Sequence, residues 1–360
     1  MPAVKKIEIW VLGATGRTGK AIAKRVRDAG LTPVLVGRDR ARLESFAAEL
    51  GAVSGTAPRL VVGTLDETLA ELAVSQASVV VSTVGPFVTT APSVIAALPA
   101  GAHYVDINNE IDAIEYALSL HDSSIAAGRT LVSAAGFGVL GTESVVLELC
   151  KDQPTPASVR VDALPSVATE PGFMGAALAG TIVDGFRAGG RRVRGNRFVS
   201  STPGGEVETV TTPDGHVLKT SSFPSGDLLT AWRASGAPDV VCGSSEISIP
   251  AVARAAMPAI LGVMRSTRLR RFATNRLARM KFAGGPRPRE FSWSHARIKW
   301  PDGTMREGWL RSGDGMDFTA DVAAEVAVRL ARGEGKPGAY TPGQLFGPSL
   351  ATDVGSTLVE

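Results

Sequence analysis

The chain is poor in the residues that build covalent frameworks, metal sites and thiol chemistry. It has two cysteines in 360 residues, Cys150 and Cys242. These support neither a disulfide framework nor a CxxC metal site, and they suit a reducing compartment. The four histidines, His103, His121, His216 and His295, form no HxxxH or HExxH pair, so the usual zinc patterns are missing and no metal ion is expected. Long apolar runs are also missing. The run behind Lys5 and Lys6 extends only from Ile7 to Leu12 and contains Glu8, whereas a signal-peptide core needs about 7–15 apolar residues. No uninterrupted stretch approaches the ~20 residues of a membrane span. The expectation is a cytoplasmic protein. Glycine (40) and proline (22) show no period, which excludes collagen-like and low-complexity chains.

Acidic residues are absent from one long segment. Between Ile247 and Arg289 there are ten lysines and arginines and no carboxylate, although the whole chain is only +3. The rest of the chain is therefore net acidic.

Short apolar runs alternate with helix-like segments through the first 136 residues. Strand candidates are Ile7–Leu12, Pro33–Val36, Arg59–Val62, Ser78–Val84, His103–Ile107 and Thr130–Ala135, and helices are expected between them. Strands that read as continuous apolar runs are buried on both faces, so the alternation implies a doubly wound parallel sheet. Prolines cluster at 154, 156 and 165. Beyond them, strand-like pieces at Ser158–Leu164, Glu206–Thr212, His295–Trp300 and Met305–Arg311 are separated by turns such as Pro213-Asp214-Gly215. This pattern predicts a second α+β domain with an antiparallel sheet. Phe318, Val322, Val326 and Leu330 predict a last helix over 319–332. The fold class is thus α/β, an N-terminal Rossmann-type domain over 1–150 completed by 320–360, and a substrate and candidate homodimerisation domain over 151–319.

The strongest local motif is Gly13-Ala14-Thr15-Gly16-Arg17-Thr18-Gly19, between the first strand and the first helix. Its glycines permit a tight turn and close approach to a pyrophosphate, and the helix N-terminus supplies amides and positive dipole. The end of the second strand reads Val36-Gly37-Arg38-Asp39-Arg40. An NAD site usually has an acidic residue about 20 residues past the fingerprint. Here Arg38, with Arg17 in the loop, favours a 2′-phosphate and hence NADP(H). Asp39 could bind the ribose but is better placed to cap the next helix. Val84, Gly85, Pro86 and Phe87 follow the fourth strand and are expected to border the cofactor.

Two catalytic classes fail on residue type. A Tyr-Lys pair four residues apart is absent, because Tyr104, Tyr116 and Tyr340 are followed at that spacing by Asn108, Leu120 and Gln344. A thiol nucleophile is unpromising, since Cys150 reads as a core position within Leu147-Glu148-Leu149-Cys150. The fifth strand and its exit, His103 to Glu110, bring forward Tyr104, Asp106 and Glu110 as catalytic candidates. The carboxylates would stabilise an iminium, and Tyr104 or His103 would serve as proton source for an enolate. The competing reading makes Asp106 and Glu110 caps of the following helix.

These motifs together resemble the saccharopine dehydrogenase-like reductases. The resemblance rests on Gly13–Gly19, Val36-Gly37-Arg38, Ser82–Phe87, His103–Glu110 and Ala134-Ala135-Gly136-Phe137-Gly138. It continues with Gly180-Thr181, Pro337–Pro342 and Phe346-Gly347-Pro348. It implies a Rossmann domain, a second α/β domain and a last helix that returns to the first. It also implies hydride transfer to a C=N or C=C bond of a small or acyl-carrier-bound metabolite, as in saccharopine-type and trans-acting enoyl reductases. Asn109 stands where glycine is usual. A non-catalytic NADP(H)-sensing regulator is the competing class.

The segment over 249–289 pairs apolar residues with Arg265, Arg268, Arg270, Arg271, Arg276 and Arg279. It is a solvated helix, a carrier-protein or membrane-surface contact. No nucleic-acid module accompanies it.

Overall fold

The computed structural model describes residues 7–54, 57–169, 171–173, 190–202, 204–246 and 266–359. Gly180-Thr181 and the first part of the basic segment lie outside the described residues. The chain divides into two units, 1–108 with 112–136 and 316–345, and 109–111 with 137–315 and 346–360.

The first unit is built on alternating elements: β1 (Ile9–Leu12), α1 (Arg17–Asp28), β2 (Pro33–Gly37), α2 (Arg40–Ser54), β3 (Leu60–Val62), α3 (Leu65–Ala73), β4 (Val79–Ser82), α4 (Phe87–Ala96), β5 (His103–Asp106), α5 (Ile111–Ser119), α6 (His121–Ala126) and β6 (Thr130–Val132). Seven parallel strands form its sheet, in the order Gly338–Tyr340, β6, β5, β4, β1, β2, β3. Ile9, Trp10 and Val11 and all three valines of β4 are fully buried, as strands covered on both faces must be. Ile22, Ala23 and Val26 form the buried stripe of α1, and Gly30, at φ +83°, ends the segment. The order reverses at β1: the chain builds toward β2 and β3 on one side and toward β4, β5 and β6 on the other. Ligands of open α/β sheets bind at such a switch point, beyond the carboxyl ends of the strands.

The expected last helix spans Gly315–Ala331, and Phe318, Val322, Val326 and Leu330 are all buried. Arg25 of α1 pairs with Asp317 at 3.8 Å and also with Asp321. The return of the chain to the first sheet is the strand Gly338–Tyr340, parallel to β6.

The second unit holds a nine-stranded sheet. Its main path is Phe198–Ser201, Gly190–Arg194, Asp239–Ser244, Ser158–Leu164, Ser292–Lys299, Met305–Ser312 and Thr357–Val359, with the hairpin Glu208–Thr211/Val217–Ser222 joined to Asp239–Ser244. The sequence pattern predicts an antiparallel sheet; the sheet is mixed, because Asp239–Ser244 lies parallel to Ser158–Leu164 at its centre. Helix α7 (Phe137–Cys150) and helix Gly226–Ser235 pack on this unit's strands. A Cβ on Gly141 would meet Ser294 Oγ at 2.2 Å, so glycine lets α7 lie close to the sheet. Whereas the sequence pattern divides the chain at 150 and 320, α7 and the residues from 346 onward cluster with the second unit.

Candidate active site

The glycine loop leaves β1 at the switch point. Gly13 N and Ala14 N both donate to Val36 O at 3.0 Å, which draws the loop to the end of β2, and Thr83 N donates to Leu12 O at 3.1 Å, which draws it to the end of β4. Gly13 has φ +81°, and a Cβ there would stand 2.4 Å from Thr83 Oγ1. A Cβ on Gly19 would stand 2.3 Å from Gly13 O. Gly16 opens α1 with no side-chain cap, and the first intrahelical bond runs from Lys20 N to Gly16 O at 2.9 Å. The loop is therefore a backbone cradle at a helix N-terminus, the arrangement that binds a pyrophosphate.

Arg38, at the end of β2, is exposed and pairs with no carboxylate among the described residues. Asp39 caps α2, because Arg42 N donates to its Oδ1 at 3.0 Å. Sequence reasoning missed Arg42, whose guanidinium donates to Thr15 O at 3.1 Å and ties α2 to the glycine loop. Val84, Gly85 and Pro86 are half-buried and Phe87 is buried at the start of α4. Val84 borders the cradle: its Cγ2 would lie 3.3 Å from a Cβ on Gly13.

The catalytic candidates separate. Tyr104 and Asp106 share one face of β5, as alternation predicts, but both are fully buried. Asp106 accepts from Asn108 N at 3.1 Å, Asn108 Nδ2 at 2.8 Å and Ala134 N at 2.8 Å, and Ser133 Oγ donates to it at 3.1 Å. Its carboxylate thus organises the exits of β5 and β6 and holds Ala134 at φ +67°. Burial raises its pKa, against the lowering effect of those donors. Burial, then the charge of Asp106, pushes the Tyr104 phenol well above its ordinary range. Neither side chain is reached from solvent, and Asp106 already has several donors. His103 Nδ1 accepts from Thr130 N at 2.9 Å. Glu110 is half-buried just before α5 and remains the reachable member of the set.

The second unit holds buried chemistry that the sequence did not reveal. Asp227 lies in the first turn of helix Gly226–Ser235 and accepts from Thr142 Oγ1 at 2.7 Å and Ser225 Oγ at 2.8 Å. Burial raises its pKa to about 6. Asn109 accepts from Gly226 N at both its Oδ1 (2.7 Å) and its backbone oxygen (3.0 Å). Its amide thus anchors this helix. Ser225 Oγ also lies 3.1 Å from the Cys242 thiol, which burial holds far above the ordinary thiol range. Burial raises Cys150 to about 11, so neither thiol is an activated nucleophile. His295, fully buried, meets Asp162 through Nδ1 at 3.1 Å and Glu307 through Nε2 at 2.8 Å, while Arg160 chelates Asp162 with 2.9 and 3.0 Å bonds.

The sheet and the cradle define the first unit as a dinucleotide-binding domain. Residues 9–132 match the family model of the saccharopine dehydrogenase NADP binding domain, so this unit is similar to that NADP-binding domain. Trans-acting enoyl reductase from Mycobacterium bovis (strain BCG / Pasteur 1173P2) is 29% identical over 152 residues, covering 41% of this chain and 36% of the relative. Trans-acting enoyl reductase from Mycobacterium leprae (strain TN) is 30% identical over 152 residues, with the same coverage. The matched region thus spans about a third of these curated relatives. Among solved structures, a short-chain dehydrogenase from Sphingobium yanoikuyae in complex with NADPH aligns with a TM-score of 0.31 at 17% identity, covering 35% of this chain and 71% of that one. Among the described residues no helix is long and apolar enough to cross a membrane.

Proposed function

We propose that the chain is an NADPH-dependent reductase that delivers hydride to a polarised double bond, with an enoyl C=C of a free or carrier-bound acyl group as the favoured substrate and a C=N bond as the second. One observation carries the reading: the glycine cradle at the β1/β4 switch point, in a domain of the saccharopine dehydrogenase NADP-binding type. The cradle fits the cofactor, since Cβ atoms at positions 13 and 19 would occupy the space the backbone needs. The relatives' names, trans-acting enoyl reductase, favour the C=C choice.

In this reading the amides of Gly13–Gly19 bind the pyrophosphate, and Arg38 with Arg17 binds the 2′-phosphate. Val84 to Phe87 line the nicotinamide side. NADPH, when bound, supplies the hydride. Glu110 is the carboxylate that faces substrate. Asp106 and Tyr104 are positioning residues that fix the loops after β5 and β6 and keep water out of the sheet end. A cytoplasmic setting belongs to the same reading, with Cys150 and Cys242 as free thiols.

The test is NADPH consumption by the purified chain with enoyl thioesters and, separately, with cyclic imines. Turnover of the thioesters supports the reading. NADPH binding without turnover of either class would instead make the chain a nucleotide sensor, and no binding of NADPH would remove the reductase reading altogether.

A further inference from the structure

Helix Thr267–Ala278 presents an apolar stripe to solvent. Leu269 is 46% exposed, Phe272 is 69% exposed, and Met280, just past the helix end, is 48% exposed. The spacing puts them on one outward side, whereas Ala273, Thr274, Leu277 and Ala278 are half-buried on the other. Arg276 lies within the stripe and Arg268, Arg271 and Arg279 run along its edge. All four are exposed and none pairs with a carboxylate among the described residues. Exposed large apolar side chains grouped in this way mark an interaction surface.

We propose that this face docks on an anionic lipid bilayer, lying in the plane of the surface with Leu269, Phe272 and Met280 at the acyl boundary and the arginines on the headgroup phosphates. Charge complementarity selects the partner. Not one carboxylate occurs between Ile247 and Arg289, against ten basic residues. A folded protein partner would need carboxylates placed to match these arginines and a shaped pocket for Phe272. A bilayer needs only one sign of charge and accepts the ring without a pocket. The helix has 12 residues, too few to span the bilayer, so the association is peripheral.

The experiment is co-sedimentation of the full chain with vesicles of phosphatidylcholine alone and of phosphatidylcholine mixed with phosphatidylglycerol, at low and high salt. Binding is expected only to the anionic vesicles and should weaken with salt. Arg271→Ala should lower the partition coefficient about fivefold, the worth of one basic residue near a charged surface. Phe272→Asp should lower it at least as much. Both positions are exposed, so thermal melting and NADPH affinity should match the parent chain. Equal binding to the two vesicle types, anionic binding untouched by both substitutions, or capture of an acidic carrier protein with no vesicle association would each overturn the proposal.

Discussion

Thr83 and Gly13 are locked against each other: Thr83 Oγ1 donates to Leu12 O at 2.8 Å and fills the place of any side chain at position 13. Gly13→Ala must therefore both strain a positive φ and displace the hydroxyl. A left-handed non-glycine residue costs about 1–2 kcal/mol, and the collision moves the amides that receive the pyrophosphate. Nucleotide affinity is expected to fall at least about tenfold, equally for NADPH and NADH, in a fluorescence titration. Unchanged affinity would mean that the loop does not touch the cofactor.

Arg38 separates the two nucleotides. Exposed at the end of β2 and free of carboxylate partners among the described residues, it is available to a 2′-phosphate. Arg38→Asp should cost about 1.5–3 kcal/mol against NADPH, roughly a ten- to hundredfold loss, and leave NADH binding nearly untouched. Equal losses for both would remove the 2′-phosphate assignment and turn attention to Arg17.

Asp106 should prove to be a stability residue. Its loss strands buried donors at Ala134 N, Asn108 Nδ2 and Ser133 Oγ, at about 1–3 kcal/mol for each group left without a partner. Asp106→Ala should lower denaturant stability by about 3 kcal/mol or more. Ala134→Gly, which relieves the left-handed backbone, should raise it by up to about 1 kcal/mol. A residue acting only in the chemical step would change turnover and leave unfolding unchanged.

Asp227 gives the second unit a pH signature. Its pKa rises on folding from 3.8 to about 6 because it is buried. The folded chain therefore binds the proton more tightly than the unfolded chain. The associated stability is fully present below about pH 4 and is lost as pH rises through about 6, by no more than about 3 kcal/mol. Asp227→Asn keeps an acceptor for Thr142 or Ser225 and cannot titrate, so its stability should lack this component of the pH dependence. Urea unfolding at several pH values measures the difference between the two chains, and parallel curves would contradict it.

Much of the first unit was legible because its strands are nearly pure apolar runs and its turns carry glycine where φ is positive. Asp39 as a cap of α2 and the periodic helix at Phe318–Leu330 were readable for the same reason, since local chemistry decides both. Depth was not readable. Alternation puts Tyr104 and Asp106 on one face, yet no local pattern tells that Ser133 and Ala134 close over the Asp106 carboxylate. Strand direction in the second unit was equally hidden: Asp239–Ser244 and Ser158–Leu164 are about 80 residues apart, and parallel pairing is a long-range outcome. Asp227 and His295 gave no signal because the bonds that bury them into networks are long-range, from Thr142 to Asp227 across 85 positions and between Asp162 and His295 across 133.

The strand Gly338–Tyr340 is the last in sequence to join the first sheet. It pairs with β6, and Thr130 Oγ1 donates to Lys336 O across 206 positions. During synthesis at about 5–20 residues per second, the ribosome releases β6 long before the strand that protects its outer edge exists. The nucleotide fold thus spends that interval with an open flank, exposed to pairing with other chains. Saturating NADPH should shorten the risk only if the cradle can close on six strands. The growing chain therefore gains its cofactor cradle early and the last strand of that sheet late.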